Sequence, residues 1–137
     1  MADFVLTNAY VMINTVDLSD HVESLNLPFD VEALDDTCMA DSSRAFLPGL
    51  KNGTLSVTFK QDFASAKTDA TVYAVYLGGA AVACKVRPTA SAISATNPEF
   101  QFNAVLTSYT PVTGTVGDIA TAPVEFQITG DVTRAVA

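Results

Sequence analysis

The chain has no tryptophan, one histidine and two cysteines among 137 residues, and seven lysines and arginines stand against fifteen aspartates and glutamates. Each scarcity argues against a class of function. Without tryptophan there is little from which to build a carbohydrate-stacking platform. The single histidine, His21, lies in Leu18-Ser19-Asp20-His21-Val22-Glu23 with no nucleophile on a constrained Gly-x-Ser-x-Gly turn, so no catalytic triad is expected. It reads as an exposed turn histidine whose pKa Asp20 and Glu23 raise. There is no phosphate-cradling Gly-x-x-x-x-Gly-Lys and no dinucleotide fingerprint, and an enzyme or a cofactor is not expected. Cys38 and Cys84 stand 46 positions apart, a spacing that fits neither a metal site nor a redox pair. Cys84 alternates with Val82 and Val86 and reads as a small buried hydrophobe.

The shortage of basic residues is uneven. Residues 1–43 hold nine carboxylates and no lysine or arginine, whereas residues 44–137 are close to neutral. A nucleic-acid reader needs a basic stripe to neutralise phosphates, and neither part has one. No apolar run of about 18 residues exists to cross a membrane as a helix. Asp3 stands where a secretory signal carries basic residues, so the expectation is synthesis and assembly in a cytoplasm, with no membrane partner.

What the sequence does have is two-residue alternation. Leu55, Val57 and Phe59 alternate with Thr54, Ser56, Thr58 and Lys60; Phe100, Phe102, Ala104 and Leu106 with Gln101, Asn103 and Thr107; Val124, Phe126 and Ile128 with Glu125, Gln127 and Thr129. With the Cys84 strand these define a mainly β protein. Tyr10 to Ile13 and Val16 to Leu18 flank Asn14-Thr15 as a short hairpin. Ser24 to Val31 is a further strand, demoted to an edge or a bulged strand by Pro28. Asn52-Gly53 is a strong turn signal. Helical spacing appears once, over 65–77, where Ala66, Ala70, Tyr73, Ala74 and Leu77 share a face, Ser65 or Thr68 caps the start and Gly78-Gly79 ends the helix. Phe59, Phe63, Tyr73, Tyr76, Phe100 and Phe102 read as core. Residues 32–50 and 110–123 read as long irregular connections, of the kind that act on or are ordered by partners. Asp35, Asp36 and Asp41 lack the register of an EF-hand loop, so they are assigned to a solvated or partner-facing loop and not to a metal. The expectation is one domain over 1–137, a β-sandwich or barrel with one short flanking α-helix.

Taken in order, several segments resemble the major tail tube proteins of long-tailed (siphovirus-type) bacteriophages. These are Val11-Met12-Ile13-Asn14 with Val16-Asp17-Leu18-Ser19-Asp20-His21-Val22, Phe46-Leu47-Pro48-Gly49-Leu50-Lys51-Asn52-Gly53-Thr54 running into the Leu55–Phe59 strand, the helix ending at Gly78-Gly79, Asn97-Pro98-Glu99-Phe100, and Tyr109 to Asp118 before the last strand. Asn14-Thr15 and Ala40 stand where related sequences commonly carry glycine. The resemblance implies a tail-tube fold, assembly into stacked hexameric rings around a conduit for DNA, and a place in the virion tail. It also implies contact with other tail proteins such as a tape measure and a tail terminator, and DNA passing through the lumen without specific binding. Residues 32–50 would then reach a neighbouring subunit, with Asp35, Asp36, Asp41, Arg44, Phe46 and Leu47 as contact candidates. The other readings of the same small β-rich composition are a capsid decoration or tail completion protein, and a β-sandwich module that binds a host surface or glycan.

Overall fold

A computed structural model describes residues 5–136. The elements, in chain order, are β1 (Tyr10–Ile13), β2 (Val16–Asp17), a 3-10 turn (Ser19–His21), β3 (Val22–Asn26), β4 (Phe29–Asp35), β5 (Phe46–Lys60), α1 (Thr68–Gly78), β6 (Val82–Arg87), β7 (Glu99–Tyr109) and β8 (Thr121–Ala135). The strands form one sheet in the order β2-β1-β6-β7-β8-β5-β3, with β4 added to β5. Every pairing is antiparallel. The sheet curls into a half-barrel with a single short helix.

Alternation sets the two faces. Val11 and Ile13, Leu55, Val57 and Phe59, Cys84 and Val86, Phe102 and Ala104, and Val124, Phe126 and Ile128 all point inward into one cluster. Burying a side chain of this size contributes roughly 1.5–3 kcal/mol, so this cluster supplies most of the drive to fold. The opposite face presents hydroxyl and amide groups.

The helix corrects an expectation. Thr68, Thr71, Val72 and Val75 are its buried residues, so Ala70, Tyr73, Ala74 and Leu77 face solvent. Both sets have i, i+3, i+4, i+7 spacing, and α1 is apolar nearly all round. Periodicity therefore identifies a helix without choosing its inner side. Lys67 stands at the N-cap without a side-chain cap, in place of Ser65 or Thr68, and Gly79 closes the helix at φ 63° with its N–H donating to the Val75 carbonyl. The core assignment holds for Phe59 and Phe102, and Phe100 is partly buried. Phe63, Tyr73 and Tyr76 lie on the outside, where the two tyrosine rings stack at 5.9 Å.

The Asn14-Thr15 hairpin forms as expected, with φ of 49° and 66° and Ile13 opposite Val16. A β-branched residue is disfavoured at positive φ, and Thr15 takes the position a glycine would occupy without strain. Asn52-Gly53 is not a turn. It lies inside β5, opposite Asp30 and Phe29 of β4, where Gly53 serves by its lack of bulk: a Cβ there would sit 3.0 Å from Ile128 Cδ1 and 3.1 Å from Phe29 Cδ1. The expected strand over 24–31 is broken at Leu27-Pro28, which separates β3 from β4.

One buried charge pair secures the far side of the sheet. Arg87 Nε lies 3.3 Å from Glu99 Oε2, with side-chain exposures of 14% and 5%. The guanidinium carbon sits 3.8 Å from the centre of the Tyr10 ring, and Gln101 Nε2 donates to Glu99 Oε1 at 2.6 Å. Arg87→Ala leaves Glu99 buried without its countercharge and is expected to cost about 3 kcal/mol in a denaturant titration. Arg87→Met/Glu99→Gln, which removes both charges, is expected to recover most of that loss.

Candidate assembly surface

At Thr54 opposite Gln127 the pairing of β5 with β8 stops, although both strands continue. From there β5 runs with β4 alone, Phe29 opposite Gly53 through Asp35 opposite Phe46. β8 runs on with β7 alone to the pair Glu99–Ala135. The parting has a local cause in β8. Gly130 takes φ of 81°, and Gln101 and Asn103 of β7 oppose Thr133 and Thr129 of β8, so β8 carries extra residues here and bends away. Gln127 pins the branch point by donating through Nε2 to Asn52 Oδ1 at 2.5 Å and to the Gly53 carbonyl at 2.9 Å.

Two features result. The first is a β-hairpin arm, β4 with the first half of β5, which replaces the irregular connection expected over 32–50. Its turn is made by the acidic residues themselves. Asp35 Oδ1 accepts from Thr37 N at 2.9 Å, Asp41 Oδ2 accepts from Cys38 N at 2.8 Å, and Arg44 Nη1 lies 3.1 Å from Asp35 Oδ2. Contacts with Thr37 hold the Asp35 carboxyl below the usual carboxylate range. Three of the residues expected to reach a partner, Asp35, Asp41 and Arg44, are thus engaged within their own turn. Asp36 is exposed and hydrogen-bonds through its backbone N–H to the Ala45 carbonyl at 2.8 Å. Phe46 and Leu47, at the start of β5, are each more than half exposed. Leu34 stands opposite Leu47, and Phe29, Val31 and Leu50 are also exposed. A two-stranded ribbon is marginal on its own, and the exposed apolar side chains along it make the arm a candidate interaction surface. The second feature is the cleft between arm and β8, about 440 Å³, lined by Phe29, Val31, Lys51, Ile128, Asp131 and Val132 among others. Sequence reasoning did not find it. The signal was Gly130 interrupting an otherwise strand-like run, which is a bulge indicator.

The charge follows the arm. Five of the nine N-terminal carboxylates, Asp30, Glu32, Asp35, Asp36 and Asp41, belong to residues 29–45. The outward face of β5, β8 and β7 offers Thr54, Ser56, Thr58, Gln127, Thr129, Asn103 and Thr107 with Val105, and carries Glu125 and Lys60 as its charged residues. His21 is not an exposed turn residue: its side chain is 15% exposed and bridges two carboxylates, Nδ1 to Asp20 Oδ1 at 2.7 Å and Nε2 to Asp62 Oδ2 at 2.8 Å. Asp62, 41 positions away, takes the place expected of Glu23 and ties the 3-10 turn to the segment leading into α1. Cys84 is buried, and burial pushes its thiol up to about 12.

This half-barrel of antiparallel strands with one helix is shared with chains of solved tail structures. The solved structures that share it include a chain from the tail of an empty gene transfer agent particle, refined with C6 symmetry (TM-score 0.70, 15% identity, 84% of this chain and 82% of that one). A chain from the virion of the native gene transfer agent particle matches at TM-score 0.76 and 14% identity, over 93% of this chain and 95% of that one. The SPP1 tail tube matches at TM-score 0.75 and 12% identity, over 95% and 77%. No protein-family model and no curated protein matches the sequence.

The His21 bridge has a definite pH signature. The hydrogen bond that His21 donates to the Asp20 carboxylate raises its pKa above the ordinary 6.5, burial opposes this, and Asp62 adds to it. Asp20 is held below 3.8, chiefly by His21, and Asp62 chiefly by the Ala64 N–H and then by His21. The imidazolium contribution is therefore complete below pH 6.5 and is lost as pH rises through the raised folded-state value; the carboxylate contribution is lost as pH falls through the lowered values. Thermal melts of His21→Ala against the parent should show a larger gap at about pH 5 than at about pH 9.

Proposed function

We propose that this chain is a major tail tube protein, which assembles with itself into hexameric rings stacked as the conduit for DNA ejection. The observation that carries this reading is the shared fold over more than four-fifths of the chain with a C6-symmetric tail and with the SPP1 tail tube. The shape of the subunit supports it independently. An arm that exposes Phe46, Leu47 and Leu50 has little reason to exist on a monomer, and a neighbouring subunit would bury it. In this reading the hydroxyl and amide face of β5, β8 and β7 lines the lumen. Such a wall holds few countercharges for phosphate, so DNA slides past without the counterion release that would bind it. Arm carboxylates left facing the lumen would repel DNA further.

The reading extends to partners and place. The rings belong to the virion tail, are assembled in the host cytoplasm, and meet a tape measure inside and a terminator at the end. The contacts between subunits run through the arm, with Phe46 and Leu47 supplying apolar area. Asp36 and the exposed edges of Asp35, Asp41 and Arg44 supply polar contacts at its tip. Catalysis has no part in this role.

Purified protein, concentrated and imaged in negative stain, should form hollow tubes with six-fold end views. A monomer at every concentration, together with absence from tails, would overturn the reading. Leu47→Asp/Leu50→Asp alters positions that are more than half exposed, so the melting temperature should stay within a few degrees of the parent's while tubes are lost.

A further inference from the structure

The connection between β7 and β8, residues 110–120, is unlike an ordinary solvated loop. Val112, Val116 and Ile119 are 82%, 102% and 69% exposed, whereas both of its ends are held firmly. Gln61 grips the two ends at once, its backbone N–H donating to the Ala120 carbonyl at 3.1 Å and its Nε2 to the Pro111 carbonyl at 2.6 Å. Thr110 N–H donates to the Pro123 carbonyl at 3.1 Å. The loop is therefore an apolar knob on a fixed base, and its ordering cost is largely met before any partner arrives.

The cleft beside the arm lies toward the other end of the same strand. From Thr121, where the knob joins β8, to the cleft wall at Asp131 and Val132 is about 30 Å at strand rise. The cleft has apolar walls in Phe29, Val31, Ile128 and Val132 and three charged residues, Asp30, Asp131 and Lys51, of which Lys51 makes no ion pair among the described residues and can take one carboxylate but not three. The knob carries a single charge, Asp118. The tip of a second arm fits less well, because Asp35, Asp36 and Asp41 would approach Asp30 and Asp131 of the cleft.

From this complementarity we infer that the 110–120 knob of one copy seats in the arm–β8 cleft of the next, with Asp118 against Lys51. The contact is heterologous: knob and cleft are different surfaces at opposite ends of one chain, so each docked copy offers a fresh knob and the series runs on wherever the rotation between copies does not close it into a ring. That is the relation needed to stack rings. This inference rests on the self-assembly proposed above and names the surface that would propagate it.

The test uses the full chain with Cys38→Ser, which removes the exposed thiol and leaves Cys84 buried. Val116→Cys and Val31→Cys, both at exposed positions, are introduced together and apart, and tubes are oxidised and run on a non-reducing gel. A disulfide needs Cα atoms within about 7 Å, so these sites cannot pair within one chain. The double variant should give a ladder of multimers, a mixture of the two single variants should stop at dimers, and each single variant alone should stay monomeric. Tubes that form normally without a ladder would overturn the knob-and-cleft contact and leave the tube function standing. Failure of the parent protein to form tubes would overturn both.

Discussion

The parting of β5 from β8 at Thr54 and Gln127 is the constraint on which the rest of the structure depends. On one side of that point the two strands pair and place Leu55, Val57 and Phe59 opposite Phe126, Val124 and Ala122, closing the half-barrel over its core. On the other side each strand keeps only one neighbour. Gly53 allows Phe29 and Ile128 to approach the branch point, and the bulge at Gly130 turns β8 away. Had the ladder continued, the arm would be one more strand of a flat sheet, with no cleft beside it and no projecting apolar ribbon. The buried core and the exposed arm thus divide the length of the same two strands.

The division also explains the charge. The core half is nearly neutral because its inward face is apolar and its outward face is built from hydroxyls and amides. The acidic residues gather on the arm, where water reaches every side chain and where two of them, Asp35 and Asp41, accept hydrogen bonds from the backbone of a ten-residue turn. Like-charged arms would repel one another and discourage pairing of exposed ribbons in the wrong register, which is a familiar hazard of unpaired edges. The negative balance of the first third therefore sits more on the arm than on the hydroxyl and amide face of β5, β7 and β8.

Much of the fold was legible in the sequence because period-two alternation is imposed by a core on one face of a strand. The central strands β5, β6, β7 and β8 and the tight turn at Asn14-Thr15 were read on that basis. The resemblance to tail tube proteins carried in turn-rich segments matches the fold observed. What could not be read was set by tertiary context. The helix offered two apolar faces with the same spacing, and only packing against the sheet selects Val72 and Val75 over Tyr73 and Leu77. Asn52-Gly53 looks like a turn locally, but its glycine is required by Phe29 and Ile128, which lie 24 and 75 positions away. His21 depends on Asp62, and no local signal announces a partner at that separation. Of the candidate assembly surface, the segment 32–50 was located but not its conformation, since a ribbon that packs on no internal core lacks the alternation that such a core would impose.

Antibody labelling of intact particles against this chain tests the central claim most directly. A tail tube subunit should be labelled, or after sheath or end removal become labelled, at regular intervals along the whole tail, with about six copies in each ring. Label confined to the head, or to a single spot at one end of the tail, would contradict the account.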